Sequence, residues 1–470
     1  MLPSNAPDSP TRLVQVPAEG GKKPDVVRRL AEWQYLERSF HRLICAWGRW
    51  LPEWEDKVEL SRHVWEQAEA VSRIRKRLAE FPGTHHNVDA PVSVRLQEWV
   101  DTVLQAPTWH DAFDGIYREV LEAIVRAYVR YAEAAHAVHD APTLALLRDL
   151  VRMKDQQRRW YRDLRRRRPH ATDSDYADRV GRALARAGGL ASPLDVDEPA
   201  RPVGTATAFQ VLARARHPRG TEPPCRWTPF LDGDFAHDLE ARRLFWCYGY
   251  MLEMNLAEDQ LLWLFSASDL PWDFVCDVSR HLWDESRHGD SGRSRLMDFG
   301  LDLADVGYPY YDDHLPANFE GPDQHEMTRP PLTETELYEQ IFTIGMVAET
   351  GHFTVKREAY DDFRAAGDLE SAEMMLFDIV DETAHVQYAH RWLPLLAERC
   401  GRPADEFRER GVSERLAHAE AAADRQRRAS ELVRDPADPA FRHYQGLLAR
   451  MRERVPLKPV ELPQRSYLPM

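Results

Sequence analysis

Most of the chain places apolar residues at i, i+3, i+4 and i+7 between charged positions, and alternating Val/Ile/Thr-rich runs that could be strands are few. The pattern predicts an all-α protein. Helices are expected over about 25–50, 55–80, 92–105, 109–139, 142–168 and 172–188. A second group is expected over about 235–266, 272–299, 333–366, 369–399, 403–410, 413–433 and 438–454. Between the groups, 189–234 is rich in Pro, Gly and small residues with no helical stripe, which is a linker composition. The stretch 300–332 reads as a long connection between two helices of the second group. Residues 1–24 read as a disordered leader and 455–470 as an extended tail. The expected layout is a helical domain over 25–188, the linker, and a helical bundle over 235–454.

One helix is written twice. ELSRHVWE at 59–66 matches DVSRHLWD at 277–284, an offset of 218 (277 − 59). At the same offset Arg75, Arg77, Leu78 and Phe81 meet Arg293, Arg295, Leu296 and Phe299. A weaker match at another offset sets LRDLVRMKDQQ (147–157) beside LFDIVDETAHV (376–386). The first domain therefore reads as a diverged copy of the second, an internal duplication.

The second group carries the chemistry. Asp284-Glu285-Ser286-Arg287-His288 and Asp381-Glu382-Thr383-Ala384-His385 are two copies of D-E-[S/T]-x-H within helical segments. On a helix, Glu and His three residues apart project from one face about a turn apart, so both can reach one metal ion. A carboxylate and a neutral imidazole suit iron, manganese or zinc. Each copy has an upstream glutamate at hairpin distance, Glu253 at 32 residues (285 − 253) and Glu349 at 33 (382 − 349). A Glu from each of two helices and Glu-x-x-His from each of two others is the set by which helix bundles hold two iron or manganese ions. The candidate ligands are Glu253, Glu285, His288, Glu349, Glu382 and His385. The bland alternative is a set of solvated surface charges, common in a chain that is 30% charged. Apolar neighbours such as Leu282, Trp283, Met346, Phe377 and Val380 argue instead for buried faces.

Other residues stand behind the ligands. A ligating histidine needs its second nitrogen held by an acceptor, and the expectation is that Asp284 holds His385 and Asp381 holds His288. His281 lies one turn before Glu285, yet its counterpart His63 persists where Gln67 and Ala70 replace Glu285 and His288, which suggests a structural role. His352, three after Glu349, reads as a supporting or core histidine. Glu258 is a less favoured alternative to Glu253. Tyr248, Tyr250 and Tyr388 read as core before they read as electron donors. In the first domain the weaker match sets Met153 and Gln156 opposite Glu382 and His385, so no second metal site is expected there.

The segment 240–410 resembles the ferritin-like superfamily of di-metal carboxylate proteins, which includes ribonucleotide reductase small subunits, bacterial multicomponent monooxygenases and fatty-acyl desaturases. IVDETAHVQYAHRWL at 379–393, DESRH at 284–288 and the Gly-Asp turn at 367–368 are most similar to a bacterial ferritin-like family of unassigned activity. The resemblance implies a ferritin-like four-helix bundle with the six ligands above. It implies two metal ions, iron with iron or manganese with iron, and an oxidoreductase of the di-iron oxidase or oxygenase type that activates dioxygen to oxidise a small organic substrate. The alternatives are a metal-handling protein (ferroxidase or peroxide scavenger) and a non-catalytic scaffold.

Charge and cysteines bound the partners. A net charge of −15 argues against nucleic-acid and anionic-membrane binding. The basic run Arg165–Arg168 sits at a helix end, where it favours the helix dipole and acidic neighbours. Five scattered cysteines, the absence of a signal-peptide pattern and the lack of 18 consecutive apolar residues fit a cytoplasmic chain without a transmembrane helix. No dinucleotide-binding glycine fingerprint and no iron–sulfur cysteine spacing is present, so electrons are expected from a separate donor or from the substrate. A homodimer is compatible with the sequence.

Overall fold

Residues 23–81, 93–188, 190, 209–213, 215, 227–267, 269–307 and 328–461 are described by a computed structural model. Among the described residues the chain is all-α apart from one pair of two-residue strands. It forms two compact units, one of Met1–Leu43 with Glu66–Thr207 and the other of Ile44–Trp65 with Ala208–Met470. The segment 44–65 thus belongs with the second unit, whereas the sequence pattern assigns it to the first. The leader falls almost wholly outside the described residues, as do much of 189–226 and the end of the tail.

In the first unit lie parts of α1 (Lys23–Trp47) and α2 (Trp54–Ala79), followed by α3 (Val94–Leu104), α4 (Trp109–Asp114), α5 (Leu121–Ala134), α6 (Ala141–Arg167) and α7 (Ser174–Arg186). Helices α4 and α5 are one rod interrupted by a π-helical turn, Gly115–Val120. The apolar stripes meet in a core containing Leu36, Phe40, Trp99, Ile124 and Leu150. Within that core sits a polar cluster. Lys154 on α6 is fully buried and ion-paired with Glu37 on α1 at 2.5 Å, and it donates to Gln67 Oε1 at 2.6 Å. Gln67 Nε2 donates to Gln157 Oε1 at 3.1 Å, Gln157 Nε2 to Glu66 at 2.8 Å, and Tyr128 OH to Glu37 at 2.7 Å.

The second unit holds β1 (Val211–Leu212), α8 (Thr228–Asp234), α9 (Leu239–Ser266), α10 (Trp272–Asp298), α11 (Leu303–Val306) and β2 (Thr328–Arg329). It continues with α12 (Glu334–Phe342), α13 (Glu349–Ala365), α14 (Leu369–Arg399), α15 (Glu406–Ser430) and α16 (Pro439–Arg454). The strands pair antiparallel, Val211 with Arg329 and Leu212 with Thr328, inside stretches that read as linker and connection. Val211 and Leu212 are both fully buried, and pairing satisfies the backbone that their burial takes out of water. A single helix, α15, replaces the two short pieces expected over 403–433; Arg410 spans the expected break, bonding Glu414 at 2.6 Å along the helix and Glu339 at 2.6 Å on α12.

Four helices form the heart of this unit, with α9 on α10, α10 on α14, α14 on α13 and α13 on α9. Helix α9 is buried nearly all round, as a central helix must be. At Gly292 a Cβ would lie 2.4 Å from the Cys247 carbonyl oxygen, so α10 can approach α9 this closely only with glycine there. Helices α13 and α14 meet through a turn in which Gly367 takes a φ of +80° and Asp368 caps α14. Asp368 also receives the buried guanidiniums of Arg295 (2.6 Å) and Arg243 (3.2 Å), while Arg242 pairs with Asp362 at 2.6 Å. Helices α12 and α13 form one rod with a second π-helical turn, Thr343–Ala348, placed directly before Glu349.

The two units repeat an order of elements, and the repeat sets a register. The π-helical turns, the helices after them and the next long helices all begin 228 residues apart (343 − 115, 349 − 121, 369 − 141). That register places Lys154 opposite Glu382 and Gln157 opposite His385, correcting the Met153 and Gln156 of the sequence alignment. The physical reason is orientation, because Lys154 and Gln157 are fully buried while Met153 is half-buried and Gln156 exposed.

The buried polar groups of the first unit set its stability. Lys154→Met leaves Glu37 buried without its cation and should cost about 3–5 kcal/mol in urea unfolding; a loss under about 1 kcal/mol would contradict a folded-state role for the pair. Burial, helped by the Arg38 charge, lowers the pKa of His41 to about 3. The unfolded imidazole takes up its proton near pH 6.5 and the folded one does not, so this contribution to stability is whole above pH 6.5 and declines as pH falls toward 3. Between about pH 7.5 and 5 the wild type should lose about 2 kcal/mol more than His41→Gln, and equal losses would refute the assignment.

Candidate metal centre

Every residue expected to bind metal lies where α9, α10, α13 and α14 face one another. Glu253 comes from α9, Glu285 and His288 from α10, Glu349 from the first turn of α13, and Glu382 and His385 from α14. All but Glu253, which is half-buried, are buried. The π-helical turn before Glu349 re-aims its helix, and Gly345 within that turn lets α14 close in, since a Cβ there would stand 2.3 Å from Ala389 Cβ.

The side chains gather into three overlapping groups whose ligand-type atoms lie within 4.8 Å of one another. One comprises His281, Glu285, Glu349 and His385; the second, Glu253, Glu285 and His288; the third, Glu253, Asp378 and Glu382. Glu285 belongs to the first two and Glu253 to the last two. In the first group His281 Nε2 stands 2.8 Å from Glu349 Oε1 and 3.0 Å from Glu285 Oε1. His385 Nδ1 stands 3.3 Å from Glu285 and 3.4 Å from Glu349, and the rings of His281 and His385 stack at 3.6 Å. In the second, His288 Nδ1 is 3.1 Å from Glu253 Oε2. Although close, these nitrogens and oxygens are not aligned as donors and acceptors. Glu253 Oε2, His281 Nε2, Glu285 Oε1, His288 Nδ1, both Glu349 oxygens, Asp378 Oδ1, Glu382 Oε2 and His385 Nδ1 are buried without a hydrogen-bond partner.

Buried polar atoms left unsatisfied are costly. Convergence of orphaned lone-pair atoms is what cation ligands look like, so the donor set fits divalent metal ions with carboxylate and imidazole preference.

The far nitrogens of both candidate histidines meet the expected aspartates, His385 Nε2 with Asp284 at 3.3 Å and His288 Nε2 with Asp381 at 3.2 Å. Asp284 also takes Arg280 at 2.8 Å and Arg287, and Asp381 takes Arg287 at 2.8 Å. Burial works to raise the Asp284 carboxyl, but His385 and the two arginines carry it well below the usual carboxylate range. Both guanidiniums lie over the ring of Trp283, which stacks on Trp65.

Electrostatics divides the cluster. Burial and the Glu285 charge push Glu253 up to about 7. Burial also works to raise Glu349, but His281 and His385 overcome it and bring that carboxyl to about 2. Burial, with Asp378 beside it, pushes Glu382 well above the usual range. Lys356 resists a burial that would discharge it, because Asp378, Glu382 and Glu253 hold its ammonium charged.

Two members of the cluster escape the sequence pattern, Asp378 and Lys356. Asp378 lies four residues before Glu382 and Lys356 seven after Glu349, so helical spacing puts both on the ligand faces. His281, one turn before Glu285, points its Nε2 at the Glu285 and Glu349 carboxylates. His352 sits beside His418 (6.1 Å between rings) and belongs to none of the three groups, and burial lowers its pKa to about 3. Glu258 pairs with Lys57 and belongs to none of the three groups. Tyr250 OH donates to Asp378 at 2.9 Å, Tyr388 lies 6.2 Å from His385, and Tyr248 packs on Trp227. Phe377 and Val380, whose apolar character points to burial in the sequence, are 65% and 60% exposed on the outer face of α14. In the first unit Arg158, Arg165 and Arg166 pair with Glu122, Asp114 and Asp163.

If the cluster holds metal through His385, Asp284→Asn, which removes the acceptor on its Nε2, should weaken that affinity by about 10–100-fold while leaving the stoichiometry at saturation unchanged. Competition against a metal-binding dye measures this, and an unchanged affinity would show that the contact does not tune the ligand.

Among the described residues no helix is long and apolar enough to cross a membrane. Comparison with models of known protein families, with curated proteins and with solved structures finds no match to this chain.

Proposed function

We propose that the second unit is a ferritin-like four-helix bundle holding a dinuclear metal centre, di-iron or manganese–iron, and that the protein is an oxidoreductase that activates dioxygen to oxidise a small organic molecule. The observation that carries this reading is the set of buried, converging carboxylate and imidazole atoms without hydrogen-bond partners. Carboxylate oxygens and imidazole nitrogens that converge in this way in a buried core are the donor set that divalent iron and manganese take.

Metal ions bound there would supply one-electron steps and open positions for dioxygen. The chain does the rest. Glu285, shared between two of the groups, would contribute to holding both ions; Asp284 and Asp381 orient the imidazoles; Tyr250 and Lys356 hold Asp378. Reductant comes from a separate donor or from the substrate. The first unit, with Lys154 and Gln157 opposite Glu382 and His385, is a duplicated bundle that has lost the ligands.

Protein purified from iron- and manganese-supplemented cells should carry about two metal equivalents per chain, and Glu285→Ala should lose both, as read by plasma mass spectrometry. Wild-type protein should then consume dioxygen when supplied with a reductant. Absence of bound metal, or metal indifferent to Glu285→Ala, would end this reading; bound metal without dioxygen consumption would leave a metal centre and refute the oxidase role.

A further inference from the structure

The metal reading leaves one contradiction inside the cluster. A third ligand group, Glu253, Asp378 and Glu382, already contains a cation, because Lys356 on α13 is buried against it. Its ammonium pairs with Asp378 Oδ2 at 2.5 Å and with Glu382 Oε1. It lies 5.5 Å from the centroid of the Tyr250 ring, whose hydroxyl donates to the same Asp378 oxygen. An ammonium and a divalent ion this close in a dry interior repel strongly. At the other end of the cluster His281 presents a buried nitrogen to two carboxylates at once, 2.8 Å from Glu349 and 3.0 Å from Glu285.

We infer that the ammonium of Lys356 takes the place of a metal ion at the Glu253/Asp378/Glu382 end of the cluster and claims Glu382 as its counterion, and that His281 completes the metal ligand set in place of Glu382. This inference rests on the metal reading above and changes its ligands. The ions are held by His281, Glu285, Glu349 and His385 on one side and by Glu253, Glu285 and His288 on the other.

The first unit uses the same device. Lys154 occupies the position that the repeat register sets opposite Glu382, and its ammonium lies between Glu37 and Gln67, each fully buried. A lysine therefore serves as the internal cation of a helical polar cluster twice in this chain, on α6 in one unit and on α13 in the other.

The test is cobalt(II) titration of the full-length apo-protein under anaerobic conditions, monitored by visible absorption and by metal counting after gel filtration. Wild type and Glu382→Gln should each bind two equivalents with affinities within about 3-fold, because glutamine still accepts from Lys356. His281→Ala should lose one equivalent or weaken it at least about 10-fold, with an altered cobalt spectrum. His281→Gln, closer in size, guards against a folding defect and should lose the same equivalent, with circular dichroism confirming the fold. Loss of an equivalent in Glu382→Gln with both retained in the His281 variants would overturn the inference and leave the dinuclear reading standing. No cobalt bound by wild type would overturn both.

Discussion

A carboxylate taken out of water in the middle of a helix bundle must be met by positive charge, by several hydrogen bonds or by a proton. The second unit buries Glu285, Glu349, Asp378 and Glu382 among four packed helices, with Glu253 at their edge. Its architecture depends on how that charge is met. Away from the centre, arginines do it, with Arg242 on Asp362, and Arg243 and Arg295 on Asp368 at the α13–α14 turn. On the outer side of the ligands, Arg280 and Arg287 neutralise Asp284 and Asp381, which frees those aspartates to hold imidazoles. At the centre the chain supplies the ammonium of Lys356 and the imidazoles of His281, His288 and His385, whose nitrogens lie against the remaining carboxylates.

Helix geometry delivers these groups to one place by two departures from regularity. A π-helical turn admits an extra residue and rotates the helix beyond it, and here it directly precedes Glu349. Glycines at 292 and 345 let α10 and α14 approach their neighbours more closely than any side chain would allow. The first unit has its own π-helical turn in the matching place but puts Leu121 where the second has Glu349, and it fills its polar centre with Lys154, Gln67 and Gln157. The two units thus present alternative solutions to the same burial problem, one closed by an internal lysine and one left with orphaned acceptors.

Much of this is legible in the sequence because it depends on spacing. The repeated Asp-Glu-x-x-His pattern places Asp284 and Asp381 one position before the ligand glutamates, which is enough to assign each to the histidine of the facing helix. The glutamate separations of 32 and 33 residues reflect antiparallel helices joined by tight turns. The one-residue error that sets Met153 in place of Lys154 comes from aligning residue similarity without the element starts. Lys356 escapes for another reason, since a lysine on a charged helix ordinarily reads as solvent-facing and only packing reveals it as buried. The exposed Phe377 and Val380 mislead in the opposite direction, because an apolar residue beside a ligand can as easily lie on the outer face.

Anomalous diffraction from crystals of metal-loaded protein, recorded above and below the absorption edge of the bound metal, tests the central claim most directly. The account predicts two peaks on either side of the Glu285 carboxylate, one beside His281 and His385 and the other beside Glu253 and His288. Absence of anomalous density between α9, α10, α13 and α14, or density only at sites on the protein surface, would contradict it.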